Sequence, residues 1–323
     1  MNKKLKILYV GNFSEGWTTE MYIAKSFEAL GHSVKKMQET TISDDHIIRE
    51  CKEGYDFLLY AKFRIDGDQK RVLENVSIPK VCWFFDVYPE TPREKRLNQP
   101  WIKMADYLFT TDDGHNDFYK NKGIKHKCIR QGIFHEEAVD GVFDKNLKTK
   151  VFFAGALNHW FSPRQEFVDF LERTYLGDFV RTRKTTRQKR LSNAIASAEI
   201  VVSHNIRFPR YWSNRIYEML GRGGFLITPA VDGLDEEFED GKHIVCYKDR
   251  DWQDLKNKID YYLEHKEERE KIRVAGAEHC RNNFTYKHRI KELLKHIYEN
   301  NNSDGKRQGG HILSRGNFTP LGR

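Results

Sequence analysis

The chain has 323 residues, 39% of them apolar and 13% aromatic, with a formal net charge of +8. That much apolar material excludes a disordered chain, and the length fits two domains of ordinary size. No window approaches the roughly 20 apolar residues of a membrane helix, and the excess positive charge suits phosphorylated or polyanionic partners.

In chain order, "KILYVG" (6–11) reads as a compact apolar strand ending in glycine. "TTEMYIAKSFEALG" (18–31) shows helical spacing through Met21, Ala24, Phe27 and Leu30, with Gly31 placed to stop it. "HSVKKM" resumes as a strand, and "YDFLLYAK" (55–62), "PKVCWFFD" (79–86), "ADYLFTTD" (105–112) and "KHKCIRQG" (125–132) are further short β-rich runs. The pattern restarts at "TKVFFAGAL" (149–157), continues through the helical "RQEFVDFLERTY", and returns to strands at "AEIVVSH" (198–204), "GGFLITP" (223–229) and "HIVCYK" (243–248). Residues 252–284 carry two helices' worth of apolar spacing, and 285–301 carry a last helix. Strand–helix alternation predicts parallel sheets covered on both faces. The polar "FHEEAVDGVFDKNLK" (134–148) reads as the joint between two such halves.

The predicted organisation is therefore an α/β chain of two Rossmann-like, doubly wound domains, at 1–136 and 148–284. A helix at 285–300 follows, read as returning to the first domain, and then a flexible basic tail at 301–323. Ligands of such sheets bind beyond the carboxyl ends of the strands, so the site is expected in a cleft between the two domains.

The five cysteines show no CxxC pair and no histidine at zinc spacing, and they read as reduced thiols of a cytosolic protein. The N-terminal apolar run stops at Gly11 and Asn12, too early for the core of a signal peptide. "DGD" at 66–68 resembles a metal-binding acid pair but has no supporting context, so no metal ligands are assigned.

Candidate chemistry concentrates in "RYWSNRIYEMLGRGGFLIT". Ser213 and Asn214 are residue types that cap helix N-termini. Arg215 in the first turn offers a planar fork of donors to phosphate oxygens. Glu218, one turn on, points the same way and suits a ribose diol; the bland alternative is an exposed Arg–Glu helix pair. Gly155 closes the first strand of the second half, where small residues let a diphosphate approach the backbone, and Arg164 is a second phosphate candidate. Gly11 and Asn12 end the first strand and face the expected cleft. Asp86, directly after an apolar strand and before two prolines, is a candidate general base. His135 at the joint is another catalytic candidate. "RTRKTTRQKR" (181–190) reads as a solvated helix face or as a patch for an anionic acceptor.

The order of motifs from "SNRIYEML" through "GLDEEFEDG" to the helix pair ending in Thr285 and Arg289 resembles the C-terminal half of group-1 (family 4) glycosyltransferases, most of all the CgeB-like, spore-maturation-type branch. The resemblance covers about the last 130 residues. It implies a GT-B fold and a nucleotide-sugar donor held by the second domain, with UDP as the expected nucleotide. Arg215 would then grip phosphate and Glu218 the ribose. It further implies retaining transfer to an acceptor hydroxyl, no tightly bound cofactor and no metal requirement. One position departs from the family: Arg210 stands where the wider family has a glutamate eight residues before the ribose-binding one. Candidate acceptors are a polysaccharide, a cell-wall polymer, a protein or, as in phage enzymes acting on hydroxymethylated bases, DNA. A non-catalytic nucleotide-sugar or nucleic-acid-binding module is the reading from another class. The expected location is cytoplasmic, with attachment to a membrane surface or to DNA left open.

Overall fold

A computed structural model describes residues 3–62, 68–85, 94–155, 157, 162–182 and 187–303. The chain divides into two compact units, Met1–Arg130 together with the segment from Tyr286 onward, and Gln131–Thr285. The polar segment at 134–148 thus belongs to the second unit.

In the first unit, β1 (Lys6–Gly11), β2 (Ser33–Gln38), β3 (Phe57–Tyr60), β4 (Lys80–Phe84), β5 (Tyr107–Thr110) and β6 (Lys127–Cys128) form one parallel sheet in the order β2-β1-β3-β4-β5-β6. Helices α1 (Thr19–Ala29), α2 (Asp44–Glu50), α3 (Gln69–Glu74), α4 (Pro100–Lys103) and α5 (Asn116–Asn121) connect these strands. Alternating strand residues point to opposite faces. Leu8, Val10, Leu58, Tyr60, Cys82 and Phe84 pack with Val72, Leu73, Trp101 and Tyr119 on one side. Trp83 turns to the other face, where its ring meets Tyr286 at 6.3 Å. Tyr286 opens α11 (Tyr286–Ser303), whose Ile290, Leu293, Leu294 and Ile297 are buried.

In the second unit, β7 (Thr149–Phe153), β8 (Phe179–Arg181), β9 (Ala198–Val202), β10 (Leu226–Pro229) and β11 (Val245–Tyr247) form a parallel sheet in the order β11-β10-β9-β7-β8. Phe152, Val201 and Leu226 face α7 (Gln188–Ala196), α8 (Arg215–Gly221) and α10 (Lys266–Asn283) through Ile195, Ile216, Leu220 and Cys280. Phe153, Ile200, Val202 and Ile227 face α6 (Ser162–Thr174) and α9 (Trp252–Glu264) through Phe167, Leu171, Leu255 and Ile259. Both faces are therefore dry, which explains why these strands read as continuous apolar runs.

Strand β8 was not anticipated. It is an edge strand whose Val180 and Arg181 are exposed, so it lacks the apolar run that marks the inner strands. Among the described residues, no helix is long and apolar enough to cross a membrane.

Candidate functional site

The chain leaves β7 for β8 on one side and then crosses back to β9 on the other. That reversal opens a crevice between the carboxyl ends of β7 and β9, the usual ligand position in an open parallel sheet. Ala154–Gly155 follow β7, and Ser203–His204–Asn205 follow β9.

Arg215, the first residue of α8, is partly buried there. Its Nη1 donates to the His204 carbonyl at 3.5 Å and to Ser213 Oγ at 3.3 Å, and its guanidinium lies 5.7 Å from the centroid of the Phe153 ring. Among the described residues it pairs with no carboxylate. Burial, and then the charge of Arg164, push its pKa down to about 10, so it remains cationic at neutral pH. Arg164, in the first turn of α6, is itself 5% exposed. Two guanidiniums thus share one desolvated neighbourhood, and each raises the cost of burying the other's charge.

His204 completes the cluster. It is 4% exposed, and neither ring nitrogen has a hydrogen-bond partner among the described residues. Its ring sits against Phe167 and Trp252. Burial first, then Arg164, Arg215 and Arg250, push its pKa down to about 4, so it is neutral. Asn205 is likewise buried, with Nδ2 unpartnered. The sequence reading passed over both, although they stand where Asp86 stands in the first half, directly after an apolar strand.

Two expectations need correction. Neither Ser213 nor Asn214 caps α8 with its side chain. Asn214 is the N-cap residue but already has helical angles, φ −55° and ψ −12°, which keep its carboxamide from folding back onto the following amides. The Ser213 hydroxyl faces Arg215 instead. Nor do Arg215 and Glu218 form the helix pair of the bland alternative. Glu218 Oε2 accepts from Arg222, which is 2% exposed and also donates to the Glu137 carboxylate. The other Glu218 oxygen has no partner among the described residues.

Gly155 donates its N–H to Thr182 Oγ1 at 3.3 Å, and a Cβ there would collide with the Phe153 ring. His135 lies in the second unit, partly buried, its ring 4.7 Å from that of Phe134. Gly11 and Asn12 belong to the first unit, and Asn12 Oδ1 accepts from the Ser14 N–H and hydroxyl, ordering the turn into α1. Asp86 lies outside the described residues, as do Asp66 and Gly67 of the "DGD" stretch, residues 183–186 of the basic segment, and 304–323.

Residues 146–295 match the family described as glycosyl transferase-like. No curated protein matches the sequence. Several solved structures share the fold. HepE of Anabaena, solved with UDP-glucose, aligns with a TM-score of 0.60 at 13% identity, covering 91% of this chain and 100% of that one. The sucrose-phosphate synthase of Thermosynechococcus elongatus aligns at 0.61 and 12% identity, covering 92% and 100%. An alpha-glucosyltransferase solved with UDP and a 13-mer DNA aligns at 0.67 and 12% identity, covering 91% and 100%. The chain thus carries a glycosyl transferase-like domain within the GT-B glycosyltransferase fold.

Proposed function

We propose that the protein transfers a sugar from a nucleotide-sugar donor, with UDP as the nucleotide, to an acceptor hydroxyl. The observation that carries this reading is Arg215, a partly buried cation with no carboxylate partner among the described residues, beside Arg164 and the neutral His204 at the switch point of the second sheet. A diphosphate supplies the missing negative charge. As the sugar leaves, charge builds on that diphosphate, and fixed cations in a water-poor site stabilise it most at that moment. Glu218, steadied by Arg222, accepts from the ribose hydroxyls through its unoccupied oxygen. Ser213, Asn214 and Gly155 border the same locus.

Two guanidiniums suffice to neutralise much of the diphosphate charge, which supports a metal-independent reaction with no tightly bound cofactor. Retention of anomeric configuration and membership of the CgeB-like branch follow the motif order from Arg215 to Arg289. Asp86 and His135 are the proposed groups for acceptor activation, and Gly11 and Asn12 are proposed to contact the acceptor side. The five free cysteines fit a cytoplasmic setting.

The test is a thermal-shift screen against UDP, GDP, ADP, CMP and their sugars. Ligands that bind only the native state raise the melting temperature. UDP and a UDP-sugar are expected to give the largest shifts, and a flat response across all of them removes the reading. Sugar release from the bound donor with chelator present then tests metal independence.

A second reading concerns the acceptor alone. The +8 charge and the likeness to an alpha-glucosyltransferase solved with DNA favour a modified base in duplex DNA. It predicts duplex binding that weakens steeply with salt.

A further inference from the structure

Among the described residues, the four most exposed large apolar side chains are Val139, Phe143, Val142 and Leu176, rising from 55% for Val139 to 89% for Leu176. All four lie at one edge of the second sheet, the edge where its strands begin. Val139, Val142 and Phe143 come before β7, and Leu176 stands between α6 and β8. Single exposed apolar residues are ordinary, but four gathered on one edge mark a contact surface.

The backbone holds three of them out. The Val142 N–H donates to Asn193 Oδ1 at 3.0 Å and the Asp144 N–H to Ser197 Oγ at 2.8 Å, tying the segment to the end of α7. Gly141 presses so close to α7 that a Cβ there would come within 2.0 Å of the Ser192 carbonyl oxygen. Asp140 accepts from Arg273 and Arg281 of α10. Val142 and Phe143 thus sit on anchored backbone with their side chains in water.

The charge around this ridge is mostly positive. Lys145 and Lys148 follow it in the chain. Lys189 and Arg190 stand one turn before Asn193, on the α7 face that meets Val142. All four are exposed, and among the described residues none of them pairs with a carboxylate. Acids near this edge are already matched: Asp140 by Arg273 and Arg281, Asp178 by Lys150, and Glu199 by Arg269.

Apolar side chains ringed by lysines suit a protein partner poorly, because protein interfaces are depleted in lysine. Nucleic acid rewards the cations but not aliphatic side chains held in water. An anionic bilayer rewards both: apolar tips enter the acyl boundary while the cationic heads meet lipid phosphates. We infer that this edge of the second unit docks on an anionic lipid bilayer. The Arg215 locus lies at the opposite ends of the same strands, so a docked molecule keeps that crevice turned away from the lipid.

The test is flotation of the full chain with phosphatidylcholine vesicles containing about one-quarter phosphatidylglycerol, and with phosphatidylcholine alone. The chain is expected to float with the first, less so as salt rises, and to stay behind with the second. Replacing both Val142→Ser and Phe143→Ser should lower the partition coefficient about tenfold or more. Replacing both Lys145→Gln and Lys148→Gln should lower it by about tenfold as well. These side chains are exposed, so the melting temperatures should stay within about 2 °C of wild type. Absence of flotation overturns the inference, as does flotation that the serine variant leaves unchanged. A concentration-dependent dimer in sedimentation velocity that the serine variant dissociates would make a second copy the occupant and also overturn it. Duplex DNA binding that the glutamine variant weakens, with no flotation, would assign the edge to nucleic acid instead.

Discussion

The Arg222 guanidinium, 2% exposed, donates to the carboxylate of Glu218, four residues earlier in the chain. It also bonds the Glu218 carbonyl at 3.1 Å and reaches the Glu137 carboxylate from the segment that opens the second unit. One buried cation therefore orients the proposed ribose acceptor and ties two distant stretches of chain together. Arg222→Met is expected to leave two carboxylates without their cation. Breaking such a buried set costs about 3–5 kcal/mol, and a shift of the urea midpoint measures it. Arg222→Lys restores the charge but not the two-sided fork, so it should recover part of the stability and leave a raised donor KM at near-normal kcat.

Arg215 presents the opposite situation. Its charge is partly buried without an acid partner among the described residues, a cost to the free protein that the proposed donor would relieve. Arg215→Met is expected to raise the melting temperature of the ligand-free protein or leave it unchanged. It should also abolish the UDP-induced shift and lower kcat/KM by about 100-fold or more, the scale of losing one charge-stabilising donor. A variant that melts lower and still responds to UDP would place Arg215 in the fold rather than in the site.

His204 makes stability depend on pH. Its pKa is about 4 in the folded protein and about 6.5 in an unfolded chain. Below pH 6.5 the unfolded state takes up a proton that the folded state refuses, so stability is lost as pH falls from 6.5 towards 4. The difference in unfolding free energy between wild type and His204→Asn is expected to shift against the wild type by on the order of 2 kcal/mol between pH 7 and pH 4.5. A bound diphosphate turns the local field around. UDP binding near pH 5.5 should therefore take up a proton in wild type and not in the variant, read from calorimetry in two buffers of different ionisation enthalpy.

The sheets were legible because parallel strands buried on both faces, such as "ILYV" and "VFF", have no choice but to be apolar throughout. Strand β8 was not, since an edge strand with exposed Val180 and Arg181 carries no such mark. Arg215 and Glu218 could be picked out by their spacing, but their partners could not. Arg222 reads locally as part of a glycine-rich turn, and Glu137 as part of a polar joint. Their meeting depends on contacts 85 residues apart in sequence. His204 and Asn205 were hidden differently. A histidine after an apolar strand is ordinary, and only burial with both ring nitrogens unpartnered sets this one apart.

Gly276 offers a test of packing in the second unit that leaves the candidate site untouched. It lies within α10, where glycine weakens a helix relative to alanine by roughly 0.5–1 kcal/mol. Propensity alone would make Gly276→Ala stabilising. The structure argues the reverse, because a Cβ at this position would collide with the backbone carbonyl oxygen of His243 and come within 3.2 Å of Leu220 Cδ2. The carbonyl belongs to the backbone leading into β11 and cannot swing away as a side chain would. Overpacking of this kind costs about 1–3 kcal/mol, more than the helix gains. Gly276→Ala is therefore expected to lower the melting temperature by several degrees, at roughly 2–4 °C per kcal/mol for a unit of this size. An increase would mean that α10 can move off the His243 carbonyl, and that the packing of α10 against this backbone is looser than the close approach implies.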